Sequence, residues 1–155
     1  MIAAGADVNP ETGIPPLCIA AQADRIDYID ILLAAGADIN RGFPIAWCAS
    51  QRCVRHMKWR GANVHYTKNG CNALMICDSI EISDELLKYG AILNINDEKI
   101  LKEFIDFHRI LSFDILKHKL VHAAGANPDS INSYEDAHSY LLQQMEERNK
   151  KNAEK

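Results

Sequence analysis

A short motif that begins with Gly-Ala recurs along the chain and constrains its fold more than any other feature. It occurs in MIAAGADVN at residues 1–9 and in LLAAGADIN at residues 32–40. It recurs in altered form at Gly61-Ala62, Gly90-Ala91 and Gly125-Ala126, with spacings of 31, 25, 29 and 35 residues between successive glycines. A period of about 30 residues predicts a stacked array of supersecondary units.

Each Gly-Ala step follows an apolar run that is typical of a helix, as Leu32-Leu33 before Gly36. A glycine after a helix can adopt the left-handed conformation that ends it. A second apolar run lies upstream at residues 17–21, and Pro15-Pro16 favours a first helical turn there. One unit is therefore predicted to contain two short helices and a turn, which makes the fold class all-α.

Residues 15–40, PPLCIAAQADRIDYIDILLAAGADIN, resemble the ankyrin repeat pattern TPLHxAAxxGHxEIVKLLLxxGADVN over their whole length without a gap. Pro15 stands for the Thr of the pattern, Cys18 for its His, and Asp24 for the Gly between its helices. The resemblance implies an ankyrin-type solenoid of stacked helix-turn-helix repeats with short turn loops.

The remaining units are degenerate. Residues 43–63 are about three residues short of the pattern between their predicted helices, and residues 72–94 are also short. We predict a half repeat at 1–9, repeats at about 10–40, 41–65, 66–94 and 95–129, a capping helix at 130–150 and a disordered tail at 151–155. Because a half repeat leaves the next unit poorly covered, we expect the chain to be a truncated array or a fragment.

Helices are also predicted near the C-terminus at residues 98–108, 113–124 and 134–150. The last follows residues 133–136, Ser-Tyr-Glu-Asp, which resemble a capping box with Asp in place of the usual Glu. Tyr140, Leu141 and Met145 share one face of this helix, and the other faces are polar. This pattern is typical of a terminal cap.

The charges are segregated, although the net charge is only −4. Residues 1–40 hold six acids and one base, residues 41–70 hold six bases and no acid, and residues 71–100 carry −4. The basic block favours a partner with an acidic surface, or contact with an acidic neighbouring unit of the same array.

The five cysteines form no CxxC pair, which predicts free thiols in a reducing, cytoplasmic environment. Secretion into a host cell stays open. We expect Cys48, Cys53 and Cys77 to act as small buried side chains. No apolar run approaches the ~20 residues that span a bilayer, so no membrane contact is expected.

Two groups of residues are weak candidates for a metal site. His118 and His122 lie one helical turn apart. The other group is Cys53, His56, His65 and Cys71. Zinc needs three or four ligands, and neither group has a recognisable ligand spacing. Nucleophile and phosphate-binding motifs are also missing from the sequence. We therefore predict no enzyme, cofactor or metal, with a metal-dependent enzyme at His118 and His122 as a hypothesis to test.

Residues 52–60 combine cations with Trp59, a mixture that contacts phosphates and stacks on bases. A nucleic-acid-binding domain is usually basic, whereas this chain has a pI of about 5.8. Nucleic-acid binding through this stretch is therefore the alternative function and not the leading one. Trp47 is expected between units in the core. Trp59 is expected at the surface, where an exposed Trp can anchor an interface.

The ankyrin resemblance implies a protein–protein interaction scaffold that binds its partner through repeat turns and first helices. Asn69-Gly70 predicts a tight turn that projects Lys68. The partner's identity and the oligomeric state stay open. Together with Arg55 and Trp59 of the basic stretch, the candidate partner-binding residues are Glu11, Thr12, Ile14, Gln22, Arg41, Ser50, Gln51, Lys68, Asn69 and Ser79.

Overall fold

Helices that follow one another in pairs make up 60% of the residues that the structure describes. The computed structural model describes residues 5–155, so residues 1–4 of the predicted half repeat lie outside the described residues. The elements are α1 (Pro16–Gln22), α2 (Ile26–Ala34), a 3₁₀ turn (Pro44–Trp47), α3 (Gln51–Trp59), β1 (Thr67–Lys68), β2 (Cys71–Asn72), α4 (Ala73–Ile76), α5 (Ile80–Lys88), α6 (Glu98–Leu111), α7 (Phe113–Ala124), a second 3₁₀ turn (Pro128–Ser130) and α8 (Tyr134–Ala153).

The pairs stack side by side in two rows. In the row of first helices, α1 packs on the 3₁₀ turn at Pro44–Trp47, that turn packs on α4, and α4 packs on α6. In the row of second helices, α3 packs on α5 and α5 packs on α7, while α8 covers α6 and α7. The predicted all-α stack of helix-turn-helix units is confirmed. We call α1/α2, 3₁₀/α3, α4/α5 and α6/α7 the first to fourth pairs.

One hydrophobic cluster runs through all four pairs. The predicted small buried side chains belong to it, since Cys48, Cys53 and Cys77 are 4%, 0% and 1% exposed. All five cysteines are free thiols. Fully buried members of successive pairs are Leu17, Ile29, Val54, Leu74, Leu86, Leu101 and Leu120.

The Gly-Ala steps end the second helices as the sequence predicts. Gly36 has a φ of +89°, and its N–H donates to Leu33 O at 3.0 Å. The N–H of Ala37 donates to Leu32 O, also at 3.0 Å. These two bonds form the Schellman motif, in which a left-handed glycine lets the last carbonyls of a helix find donors.

The polar residues after the first two Gly-Ala steps join each of these turns to the next one. Asn9 accepts a hydrogen bond from the Asp38 N–H at 2.7 Å and donates to Gly36 O at 2.8 Å. Asn40 accepts from the Asn63 N–H at 2.9 Å. Within the turn, the Asp38 carboxylate accepts a hydrogen bond from the Asn40 N–H at 2.9 Å, which holds the Asp38 side chain in place. The recurring Asp and Asn therefore connect equivalent turns of neighbouring units.

The short units differ from the prediction in where their missing residues fall. The second helices α2, α3 and α5 all have nine residues, and links of three residues, 23–25, 48–50 and 77–79, precede them. The first helices shorten instead, from seven residues in α1 to four in the 3₁₀ turn and four in α4. The expected deletion between helices is thus wrong, because the last turn of the first helix is what is lost.

Asp24 occupies the link position where the ankyrin pattern has Gly, and it takes the left-handed conformation with a φ of +52°. Aspartate tolerates this region better than most residues. The Ser50 hydroxyl of the next link donates to Asp24 Oδ1 at 2.7 Å, which holds the side chain against the neighbouring unit.

The C-terminal helices are close to their predicted bounds. Helix α6 runs to Leu111 rather than residue 108, and α7 spans the predicted residues. Ser133 caps α8 by accepting from the Asp136 N–H at 3.0 Å, while Asp136 accepts from the Asn132 N–H rather than from that of Ser133. Because α8 continues to Ala153, most of the predicted disordered tail is helical.

Replacing Gly61 with alanine tests the left-handed helix ends. Gly61 has a φ of +98°, and a Cβ there would meet no atom within 4 Å, so the substitution acts through backbone strain alone. We expect Gly61→Ala to lower the free energy of unfolding by about 1–2 kcal/mol in urea denaturation. The exposed control Glu146→Ala should stay within about 0.5 kcal/mol of the parent. An unchanged stability of Gly61→Ala would contradict this role.

Candidate functional site

The candidate partner-binding residues separate into two ends of the stack. The helices of a pair are antiparallel, so the turns before the first helices and the links between helices lie at opposite ends. Arg55 lies in the middle of α3, and Trp59 is the last residue of this helix, at the turn end. The turn end carries Glu11, Thr12, Ile14, Arg41, Lys68 and Asn69. The link end carries Gln22, Ser50, Gln51 and Ser79.

The turn end presents short polar loops. Asn69 and Gly70 have φ values of +53° and +82° between β1 and β2, which confirms the predicted tight turn. A Cβ at Gly70 would collide with Ile100, so this hairpin rests on α6. Lys68 and Asn69 are exposed at its tip, as are Glu11, Thr12 and Ile14 in the loop before α1. Arg41 is half-buried and donates to Pro10 O at 2.8 Å.

The link end contains a groove of about 620 Å³, which we call the link-end groove. Its floor includes Trp47 and Ile76, which are the last residues of the two shortened first helices. The longer helices α1 and α6 supply residues at its sides, because they keep the turns that the middle pairs lack. The residues that line the groove include Gln22, Trp47, Ala49, Asp78, Phe107 and Leu111.

The link-end groove brings together two candidate partner-binding residues, Gln22 and Ser79. Ser50 and Gln51 lie beside it, and both make bonds within the chain. The Ser50 hydroxyl accepts from the Cys53 N–H at 3.1 Å and so caps α3, and Gln51 donates to Glu81 O at 3.5 Å. Trp47 packs on the hydrophobic cluster, as the sequence predicts, but it is only half-buried and lines the groove instead of lying inside the core.

The basic block contacts acidic residues of the neighbouring pairs. Arg55 Nε donates to Glu85 Oε1 of the third pair at 2.8 Å. Arg60 Nη1 donates to Asp30 Oδ1 of the first pair at 2.7 Å, and His56 Nε2 lies 2.8 Å from the same oxygen. These contacts favour the second interpretation of the block, in which its charge meets neighbouring units of the array.

The family model of the ankyrin repeat matches residues 12–42. This segment contains α1, α2 and the loops on either side, and its fold is continued by the three pairs that follow. Ankyrin repeats form protein–protein interaction modules. A search of curated proteins found no match for the chain.

Trp59 is 76% exposed, as expected for the last turn of a second helix. The Arg60 guanidinium lies 5.8 Å from the centre of one of its rings. In the stretch proposed for nucleic acid, however, Arg55, His56 and Arg60 all contact carboxylates. Arg52 is the most exposed cation of this stretch, with its side chain 72% exposed and its guanidinium 3.9 Å from Asp24.

The candidate metal ligands have other partners. His118 Nε2 lies 2.7 Å from Asp84 Oδ1, which joins α7 to α5, and the His118 and His122 rings are in contact at a tilt of 39° with centres 4.3 Å apart. Cys53 Sγ faces Ala21 O, whereas His56 faces Asp30. Across residues 5–155, no group of three or more His, Cys, Asp or Glu side chains could hold a metal ion. Nor is any helix in this range long and apolar enough to cross a membrane.

A buried cation in the last repeat-like pair was missed by the sequence reasoning. Lys119 is fully buried, and its ammonium donates to Cys77 O at 2.6 Å, Met75 O at 3.4 Å and His108 Nε2 at 3.0 Å. These bonds supply donors to carbonyls that the short helix α4 leaves free. The available signal was a lysine three residues after Leu116, on the apolar face of α7.

Burial sets the protonation of this pair. The His108 Nδ1–H donates to Phe104 O at 2.7 Å, which leaves Nε2 to accept from Lys119. Burial, followed by the nearby Lys119 charge, lowers the pKa of His108 to about 4. Burial also lowers the pKa of Lys119 from 10.5. His108 is therefore neutral at pH 7.

A double-mutant cycle tests the contact between Arg55 and Glu85. Arg55 is the main cause of the lowered pKa of the buried Glu85 carboxyl, so the pair stabilises the fold at neutral pH. We expect Arg55→Met and Glu85→Gln to show a coupling energy roughly twofold larger than the exposed control pair Arg25–Asp27. The coupling should be lost as the pH falls below 4.5 and through the lowered pKa of Glu85. Equal coupling in both pairs would contradict the interpretation.

The neutral His108 predicts a second pH dependence. Unfolded chains bind a proton at this imidazole below about pH 6.5, whereas the folded chain does so only near pH 4. Stability should therefore fall by about 3 kcal/mol between pH 6.5 and 4, and His108→Gln should remove most of this slope. NMR titration of the His108 ring provides the direct measurement, and an apparent pKa near 6.5 would be inconsistent with a buried neutral histidine.

Proposed function

We propose that the chain is a protein-interaction module that binds a protein partner through both ends of its stack, with the link-end groove as the principal contact. The groove supports this function best, because it offers apolar side chains beside polar groups on a surface built from several rigid pairs. Gln22 and Ser79 lie at its edge, and both belong to the positions expected from the resemblance.

The chemistry of the groove favours binding over catalysis. No histidine is among the described residues that line it, so a hydroxyl or thiol there has no neighbouring imidazole as a base. Cys48 is 4% exposed, and a hydrogen bond with Cys53 together with burial raises the pKa of its thiol. Such a thiol stays protonated and is a weak nucleophile.

The cations that are exposed and make no contact with a carboxylate of the chain indicate where a partner with an acidic surface could bind. Because Arg55 and Arg60 contact Glu85 and Asp30, an acidic partner surface is proposed only for the turn end, where Lys68 is exposed. The same contacts weaken the case for nucleic acid at residues 52–60. The five free thiols favour a reducing, cytoplasmic setting for the interaction.

Selection from a displayed library of protein fragments tests the function. We expect selected binders to lose about tenfold or more in affinity with the groove-filling variant Ala49→Gln or with the turn-end variant Thr12→Glu/Lys68→Glu. Ala49 and Ala34 are both exposed, so Ala34→Gln on α2 is the matched control and should bind normally.

Two results would contradict the function. The first is a library that yields no binder, or binders that respond equally to the control. The second is tight binding of a single-stranded oligonucleotide at physiological salt in a mobility-shift assay, since phosphate contacts weaken steeply as salt rises.

A further inference from the structure

We infer that the link-end groove takes an apolar segment of a partner protein that carries lysine or arginine beside its apolar side chains. The inference rests on the proposed binding function and adds the chemistry of the partner. It concerns the groove alone and makes no claim on the turn end.

The shape of the groove follows from two consecutive short first helices. The 3₁₀ turn and α4 each have four residues, whereas α1 has seven and α6 has fourteen. The volume of about 620 Å³ left between them suits several large side chains from one segment rather than a single contact. At this end of the stack, the row of first helices is therefore interrupted by a depression that is two units wide.

The surface of the groove is largely apolar. Trp47, Ile76, Phe107 and Leu111 are half-buried along it. Ile110 lies three residues after Phe107 on α6 and is 83% exposed, so apolar surface continues beyond the rim. Removing this surface from water favours apolar side chains in the occupant.

The charge of the groove is negative. Asp78 is the charged residue that lines the groove. Glu81 follows three residues later in the first turn of α5, and both side chains are exposed. Neither belongs to an ion pair among the described residues. The charge of the buried Lys119 lies near Asp78, and His118 lies near Glu81. A hydrogen bond from Ser79 lowers the pKa of Glu81, which keeps it ionised at neutral pH.

The nearby cations do not cancel this charge at the surface. Lys119 is buried beneath the groove, and its three N–H groups bind Cys77 O, Met75 O and His108. Arg52 is exposed but lies 3.9 Å from the Asp24 carboxylate, and Arg55 binds Glu85. A cation supplied by the partner therefore has two carboxylates available, and burial of the apolar segment beside them would strengthen the attraction.

Two matched peptides test the inference on the full chain. Trp59→Phe leaves Trp47 in the groove as the single tryptophan. Two amphipathic peptides of about 16 residues share one pattern of Leu and Phe and differ in carrying four lysines or four glutamates. We expect the lysine peptide to change Trp47 emission with a Kd at least about tenfold lower than that of the glutamate peptide.

Variants then assign the effect to the groove. Asp78→Asn/Glu81→Gln should reduce the difference between the peptides to less than about threefold. Ala49→Gln should weaken both peptides, and the control Ala34→Gln should leave both unchanged. Raising the salt concentration should remove most of the lysine peptide's advantage.

Equal binding of the two peptides, tighter binding of the glutamate peptide, or no response to Ala49→Gln would overturn the inference. Self-association that Ala49→Gln abolishes would also overturn it, because the groove would then take a second copy. If library binders respond only to Thr12→Glu/Lys68→Glu, the inference fails together with the groove's place as the principal contact, while protein binding through the turn end stands.

Discussion

Contact between neighbouring helix pairs is the constraint on which the structure depends, because one pair of short helices cannot bury its apolar face alone. The hydrophobic cluster is continuous through all four pairs. Asn9 and Asn40 bind the backbone of the next turn, so the same residue that marks the repeat in the sequence also sets the spacing between units. Where the repeat motif degenerates after residue 63, other contacts take over, chiefly the buried ammonium of Lys119.

The alternation of charge along the chain acts through the same contacts. An acidic pair, a basic pair and another acidic pair stack in order, and Arg60 and Arg55 reach back to Asp30 and forward to Glu85. Attraction between successive units therefore uses much of the positive charge that the sequence offers to a partner. The surfaces left for binding are the tips of the turns and the groove that the shortened first helices create.

The sequence predicted what local chemistry decides. Gly36, Asn69-Gly70 and the Ser133 cap depend on residues close in the chain, and the structure agrees with each. The sequence could not predict that the unit containing residues 44–47 loses the last turn of its first helix. Removing the same number of residues from the link between the two helices would leave the same motifs in the sequence. Lys119 and Cys77 are 42 residues apart, and the groove joins four units, so both depend on how the pairs stack.

Amide hydrogen exchange at Asp38 and Asn63 tests the stacking most directly. Both residues lie on exposed turns, and their N–H groups are bound by Asn9 and Asn40 of the preceding units. If the units stack as described, both amides exchange slowly, at rates that approach those of the core helices. Exchange at the rate of free loops, with the helices still protected, would contradict the account.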